Sequence, residues 1–147
     1  MKNLSIAALT LCACTAWAQM TPVGTWHTID DETNKPKGEV TITDNNGLLT
    51  GVVGRSLVDD PKAKTICDLC KDERKDQPIL GMEIIRGLKQ EGNKNLWGGG
   101  GKILDPTNGK IYTLEMEPIE GGKKMKVRGY IGPFYRTQIW LRVDQAK

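Results

Sequence analysis

From residue 22 onward the chain is a series of short runs in which apolar and polar residues alternate, each cut off by a turn signal. Val23 to Ile29 alternates, then gives way to the polar stretch Asp30-Asp31-Glu32-Thr33-Asn34-Lys35-Pro36-Lys37-Gly38. Glu39 to Thr43 reads E-V-T-I-T, the two-residue period of a half-buried strand. Asp44-Asn45-Asn46-Gly47 follows and ends on Asn-Gly, a pair that accepts the positive φ angles of a tight hairpin turn. Leu48 to Val58 returns as a strand, with Gly51 and Gly54 marking bends or bulges. Ile79 to Leu88 is the next run, closed by Glu91-Gly92-Asn93-Lys94. Leu96 to Leu104 carries four glycines, Gly98 to Gly101, and stops at Asp105-Pro106-Thr107-Asn108-Gly109. Lys110 to Met116, Met125 to Ile131 and Arg136 to Val143 complete the set, and Glu120-Gly121-Gly122 supplies another hairpin turn.

This pattern predicts about eight strands, most joined by short turns. No stretch keeps apolar residues at helical spacing for three turns, so helix is confined to connections. A meander of that length has two exposed edges, and closing into a barrel removes them. The expected fold is therefore all-β: an antiparallel, eight-stranded up-and-down barrel spanning residues 19–147 as one domain. A two-sheet sandwich is the alternative, and the short sequential hairpins favour the barrel. A barrel of that strand number is wide enough either to fill with side chains or to hold one small ligand.

The first 18 residues read differently. Lys2 gives a basic start, Leu4 to Leu11 is apolar, and Ala16-Trp17-Ala18 offers a small-x-small cleavage pattern before Gln19. The apolar run falls short of the roughly 20 residues that a membrane-spanning helix needs. The expectation is a cleaved signal peptide over 1–18 and a periplasmic or secreted product. Leu11-Cys12-Ala13-Cys14 loosely matches a lipoprotein box that would acylate Cys14, but the apolar stretch before it is short, and the downstream cleavage site is preferred. Loss of Lys2 with the leader lowers the formal charge of +3 by one, a balance that provides neither a nucleic-acid-binding arm nor a polybasic membrane patch.

Removal of that segment takes Cys12 and Cys14 and leaves Cys67-Asp68-Leu69-Cys70. An exported C-x-x-C pair is expected to oxidise. Thioredoxin-type chemistry needs the first thiol at a helix N-terminus, and no preceding βα unit is legible. Asp68 beside the thiol would raise its pKa by charge repulsion. A structural disulfide between Cys67 and Cys70 is the reading taken. It sits within Asp59 to Gln77, a long connection of mixed charge expected to form an ordered flap able to cover one barrel mouth.

Gly24-Thr25-Trp26 opens the first strand and Trp140-Leu141-Arg142 closes the last. This resembles the lipocalin and calycin signature, which implies that Trp26 packs beneath Arg142 and corks one barrel end. A wider set of blocks resembles the bacterial domain of unknown function 2147 family. These blocks are Gly24 to Asp31, the C-x-x-C, Asp76 to Gly81, Gly100 to Pro106 running on to Tyr112, Val127 to Gly132, and Arg136 to Arg142. The resemblance implies an exported, lipocalin-like barrel and brings no catalytic residues. In place of the family's glycine-rich step before the last strand, this chain has Gly132-Pro133-Phe134-Tyr135.

The remaining candidates narrow quickly. One histidine, His27, excludes multi-histidine metal sites, and neither G-x-S-x-G nor H-E-x-x-H occurs. Gly98 to Lys102 lacks the first glycine, the Ser or Thr after the lysine, and the helix of a phosphate loop. Asp30, Asp31 and Glu32 read as solvated turn residues. No catalytic constellation, metal site or cofactor is expected, and the chain reads as a non-enzyme. On the last two strands, Tyr112, Arg128, Tyr130, Gln138 and Trp140 are the candidate lumen residues, because a cavity with a few convergent polar groups is what a small-ligand site looks like. The expected partner is a small hydrophobic or amphipathic molecule, with no nucleic acid and no membrane span. The alternative is a protein partner met through the flap.

Overall fold

A computed structural model describes residues 20–143; the segment 1–18 expected to be a signal peptide, with Cys14, lies outside the described residues. Nine strands appear in chain order: β1 (Gly24–Ile29), β2 (Pro36–Asn45), β3 (Leu48–Ser56), β4 (Glu83–Gln90), β5 (Trp97–Gly98), β6 (Lys102–Asp105), β7 (Lys110–Ile119), β8 (Lys124–Ile131) and β9 (Phe134–Arg142). Both β5 and β6 lie between β4 and β7, so they are two halves of one interrupted strand. Pairing of β3 with β4 and of β9 with β1 closes the ring, giving an antiparallel, eight-stranded up-and-down barrel.

The glycine run explains the interruption. Gly99 and Gly100 take φ of 59° and 83°, which L side chains rarely adopt. At Gly101 a Cβ would come within 2.9 Å of Leu88 Cα, so the strand can cross β4 this closely only without a side chain. The first hairpin also follows its sequence: Asn46 and Gly47 have φ of 55° and 88°, and Asp44 Oδ1 accepts the Gly47 N–H at 2.7 Å.

Several boundaries move. The fourth strand starts at Glu83, not Ile79, because Ile79 to Met82 form a turn with Gly81 at φ 83°. The last strand starts at Phe134, since Ile131 pairs directly with Phe134 across Gly132-Pro133. Register identifies the inner face. Met125 opposes Trp140, Val127 opposes Gln138 and Gly129 opposes Arg136, and directly opposed residues share a face. Met125, Val127 and Trp140 are buried, so this is the lumen side.

The two barrel ends differ. One end gathers the start of β1, the end of β9 and the turns after β2, β4 and β7; its interior is packed with Trp26, Leu88, Leu114, Met116, Met125 and Trp140, all buried. At the other end, the mouth, the inward-facing Thr28, Val53, Ile103, Tyr112 and Gln138 are only half-buried. The flap is ordered. Cys67 and Cys70 form a disulfide and are buried, and the flap is tied by Cys67 N–H to Gln77 O and Ile79 N–H to Thr65 O, both at 2.9 Å.

Candidate functional site

The closed end is built around one arginine. The Arg142 guanidinium lies over the Trp26 ring, 4.1 Å from its centroid. Its N–H groups donate to the carbonyls of Gly122 (2.6 Å), Val23 (2.8 Å) and Thr21 (2.6 Å), while the Trp26 indole donates to Pro22 O at 2.7 Å. Burial pushes the Arg142 pKa down, yet the group retains its charge, as arginine does in proteins. Gly24 makes room for it: at φ 131°, a Cβ there would sit 2.6 Å from Arg142 Nη1. The chain segment before β1 is thereby pinned across the barrel floor.

The mouth carries a polar chain on one wall. Trp140 Nε1 donates to Gln138 Oε1 at 3.0 Å, Gln138 Nε2 donates to Asp31 Oδ1 at 2.8 Å, and Arg136 Nη1 meets Asp31 Oδ2 at 3.0 Å. Gln138 and Arg136 face inward from β9, and Asp31 reaches them from the β1–β2 connection. Around the ring, β9 stands opposite β4, so the partly buried Val53 and Ile103 that pack on the core flank the facing wall. Tyr112 faces inward beside Gly129, where a Cβ would approach its ring at 3.5 Å.

Of the expected lumen residues, Tyr112, Gln138 and Trp140 face inward, Trp140 as part of the packed floor. Arg128 and Tyr130 do not. They share a face with Lys124 and Lys126 and point outward, because Met125 and Val127 claim the interior and the pleat alternates strictly. Outside, Arg128 Nε donates to Thr137 Oγ1 at 2.9 Å, its guanidinium lies 4.7 Å from the Tyr135 ring centroid, and Tyr130 OH donates to Glu115 Oε2 at 2.9 Å. The reading of Asp31 as a solvated turn residue missed its long-range partners. Arg136 was missed too, although it shares the alternation that selected Gln138.

The flap does not cover the mouth. It packs on the outer side of the wall, where Arg74 Nη1 donates to Glu83 O at 3.0 Å and Arg86 pairs with Glu73 at 2.6 Å. Leu104, which points away from the lumen, belongs to the same buried cluster as the disulfide. Gly109 takes φ 72° where a Cβ would overlap Leu69 O at 2.1 Å, so the β6–β7 turn abuts the flap. The Arg74 fork on Asp72 holds that carboxyl at a pKa of about 2. Elsewhere, the Thr33 backbone N–H lowers Asp30, and the Arg55 guanidinium, with His27, lowers Glu39. A concavity of about 440 Å³ lies at the rim between the flap and the β6–β7 turn, and one of about 200 Å³ lies on the outer side of the wall against Glu115, Glu117, Lys126 and Arg128. Among the described residues, no group of three or more His, Cys, Asp or Glu could hold a metal, and no helix is long and apolar enough to cross a membrane.

Against known proteins, residues 24–142 match the model of a family described as an uncharacterized protein conserved in bacteria, DUF2147. Among solved structures, the barrel is similar to protein HP1028 of Helicobacter pylori, which is described as belonging to the lipocalin family. The two superpose with a TM-score of 0.68 at 20% identity, over 83% of this chain and 82% of that one. No curated protein sequence is significantly similar to the chain.

Proposed function

We propose, from the premise that this chain belongs to the bacterial DUF2147 family and folds as a lipocalin-like barrel, that it is an exported binder of a small, partly apolar molecule. The observation that carries this reading is the change along the inner face. The deep half is packed with buried aromatic and aliphatic side chains, so a ligand cannot enter it without opening the core. The mouth half instead offers half-buried Val53 and Ile103 across from Asp31, Arg136 and Gln138, with Tyr112 on the wall between them, so that apolar side chains face a few polar groups. Binding is therefore assigned to the mouth half. The role we propose is that of a carrier or sensor. Export accords with the buried disulfide, because such bonds persist in oxidising compartments.

Filling the mouth tests this. A neutral, polarity-sensitive dye should bind the wild-type protein with a rise in its emission, and Val53→Trp or Ile103→Trp should abolish that rise while the far-ultraviolet spectrum stays unchanged. Dye binding unaffected by both substitutions would contradict the site. A second reading, a protein partner met through the flap, is favoured by the exposure of Leu69 and Leu80, 50% and 69%. It requires that polar substitutions at these two residues abolish partner capture and leave dye binding intact.

A further inference from the structure

We infer that β9 is the edge through which two copies of this chain join, pairing antiparallel about a two-fold axis at Thr137. The inference is independent of the ligand-binding role and starts from where the barrel closes. β9 pairs with β8 from Phe134 to Leu141, but with β1 only at Trp26–Arg142 and His27–Leu141. Successive residues of a strand turn their backbone groups to opposite neighbours. Arg142 N–H donates to Lys123 O on the β8 side and Val143 N–H to Thr25 O on the β1 side, so the odd-numbered residues of β9 turn toward β1. Beyond Leu141 no ladder meets them, and among the described residues no backbone bond joins them to the β1–β2 connection. Tyr135, Thr137 and Ile139 therefore present an open strand edge, and such an edge is a template for another strand.

This edge lacks the devices that keep strands from pairing. β9 has no register shift against β8, no proline, and no charge on its outer face, which runs Tyr135, Thr137, Ile139, Leu141; the outer face of β8 carries Lys124, Lys126 and Arg128. The one charge on the open stretch, Arg136, points inward and is met by Asp31 at 3.0 Å. Tyr135 and Ile139 are 62% and 37% exposed. The occupant follows from the register. With Thr137 on the two-fold axis, Tyr135 lies opposite Ile139 of the second copy, and Thr137 lies opposite its own counterpart. Aromatic–β-branched and Thr–Thr are favourable cross-strand pairs. On the inner face, Arg136 then lies opposite Gln138 of the second copy. Moving the axis to Arg136 sets two guanidinium groups against each other, and moving it to Gln138 sets Tyr135 against Leu141, whose edge His27 already fills. Only the Thr137 axis engages all three open residues, and it makes the contact isologous and closed. Three residues per strand form a small interface, so the dimer is weak and concentration-dependent.

Sedimentation velocity of the purified protein tests this over about 1 to 200 µM, the range in which small interfaces associate. The wild-type mass should climb from one chain toward two across that range. Thr137→Lys and Thr137→Glu each set like charges against each other across the axis and should stay monomeric. An equimolar mixture of the two should associate at least about tenfold more tightly than either variant alone, since opposite charges then meet. Only a residue on the two-fold axis meets its own copy, so this reciprocity belongs to no other surface. Thr137→Pro removes an N–H that the β8 ladder does not use; it should also be monomeric, with an unchanged far-ultraviolet spectrum. Wild-type protein that stays monomeric at the highest concentration, variants that dimerise as wild type does, or a mixture no tighter than its components would overturn the assignment.

Discussion

Replacing Arg142 by Ala removes the group that ties the chain start, the β7–β8 turn and the Trp26 face into one barrel floor. Three carbonyls lose a charged donor, and each such bond contributes a net of roughly 1.5–3 kcal/mol where it is shielded from water and less where it is not. The Thr21 and Val23 carbonyls lie near the described chain start and can rehydrate, whereas Gly122 is buried and recovers less. The stacking on Trp26 adds roughly 0.5–2 kcal/mol in a desolvated setting. Returning Arg142 to water in the unfolded state offsets part of this. The net expectation is a loss of about 3 kcal/mol, a large share of the roughly 5–15 kcal/mol typical of a domain, or a Tm lower by about 10 °C. Arg142→Lys should recover less than half, because an ammonium keeps the charge but has neither the fork nor the plane. Urea unfolding followed by tryptophan emission measures both. An Ala variant within about 0.5 kcal/mol of wild type, or a Lys variant equal to wild type, would refute the reasoning.

Three further predictions concern the floor and the flap. Gly24→Ala should destabilise by about 2 kcal/mol, since it combines an unfavourable φ with displacement of the Arg142 guanidinium; thermal unfolding reads it directly. Replacing Cys67 and Cys70 by Ala should lower barrel stability by about 2 kcal/mol or less, because the bond closes a very short loop, while limited proteolysis between Asp59 and Gln77 accelerates. Disulfide exchange with a reduced test protein would contradict this structural role. The Asp72 carboxyl, held at about 2 against an ordinary 3.8, contributes stability that is present above about pH 4 and lost as pH falls through about 2. Flap protection in hydrogen exchange should fall over that window, and Asp72→Asn should remove the pH dependence.

The barrel was legible because β2, β7 and β8 follow a two-residue period and the β2–β3 hairpin has its own turn chemistry at Asn46-Gly47. Trp26 and Arg142 were legible through a resemblance tied to particular positions. The orientation of β8 was not, because Met125–Val127 and Lys126–Arg128 are both coherent faces; only packing against Met116 and Trp140 decides which one turns inward. The flap's docking side was equally hidden, since it depends on Leu104 being apolar on the outer face, which a strand reading takes for buried-sheet noise. Asp31 escaped notice because its partners lie more than 100 residues away, 107 in the case of Gln138, and local turn chemistry assigns the adjacent Asp30 correctly while saying nothing of its neighbour.

Amide chemical-shift mapping of the 15N-labelled protein during titration with octanoate tests the central claim most directly. The account predicts that the shifts cluster at Thr28, Asp31, Val53, Ile103, Tyr112, Arg136 and Gln138, and that the indole N–H of Trp140 moves with them while that of Trp26 stays still. Shifts confined to the flap or to the outward-facing Arg128 and Tyr130, or no shifts at all, would contradict a ligand site in the barrel mouth.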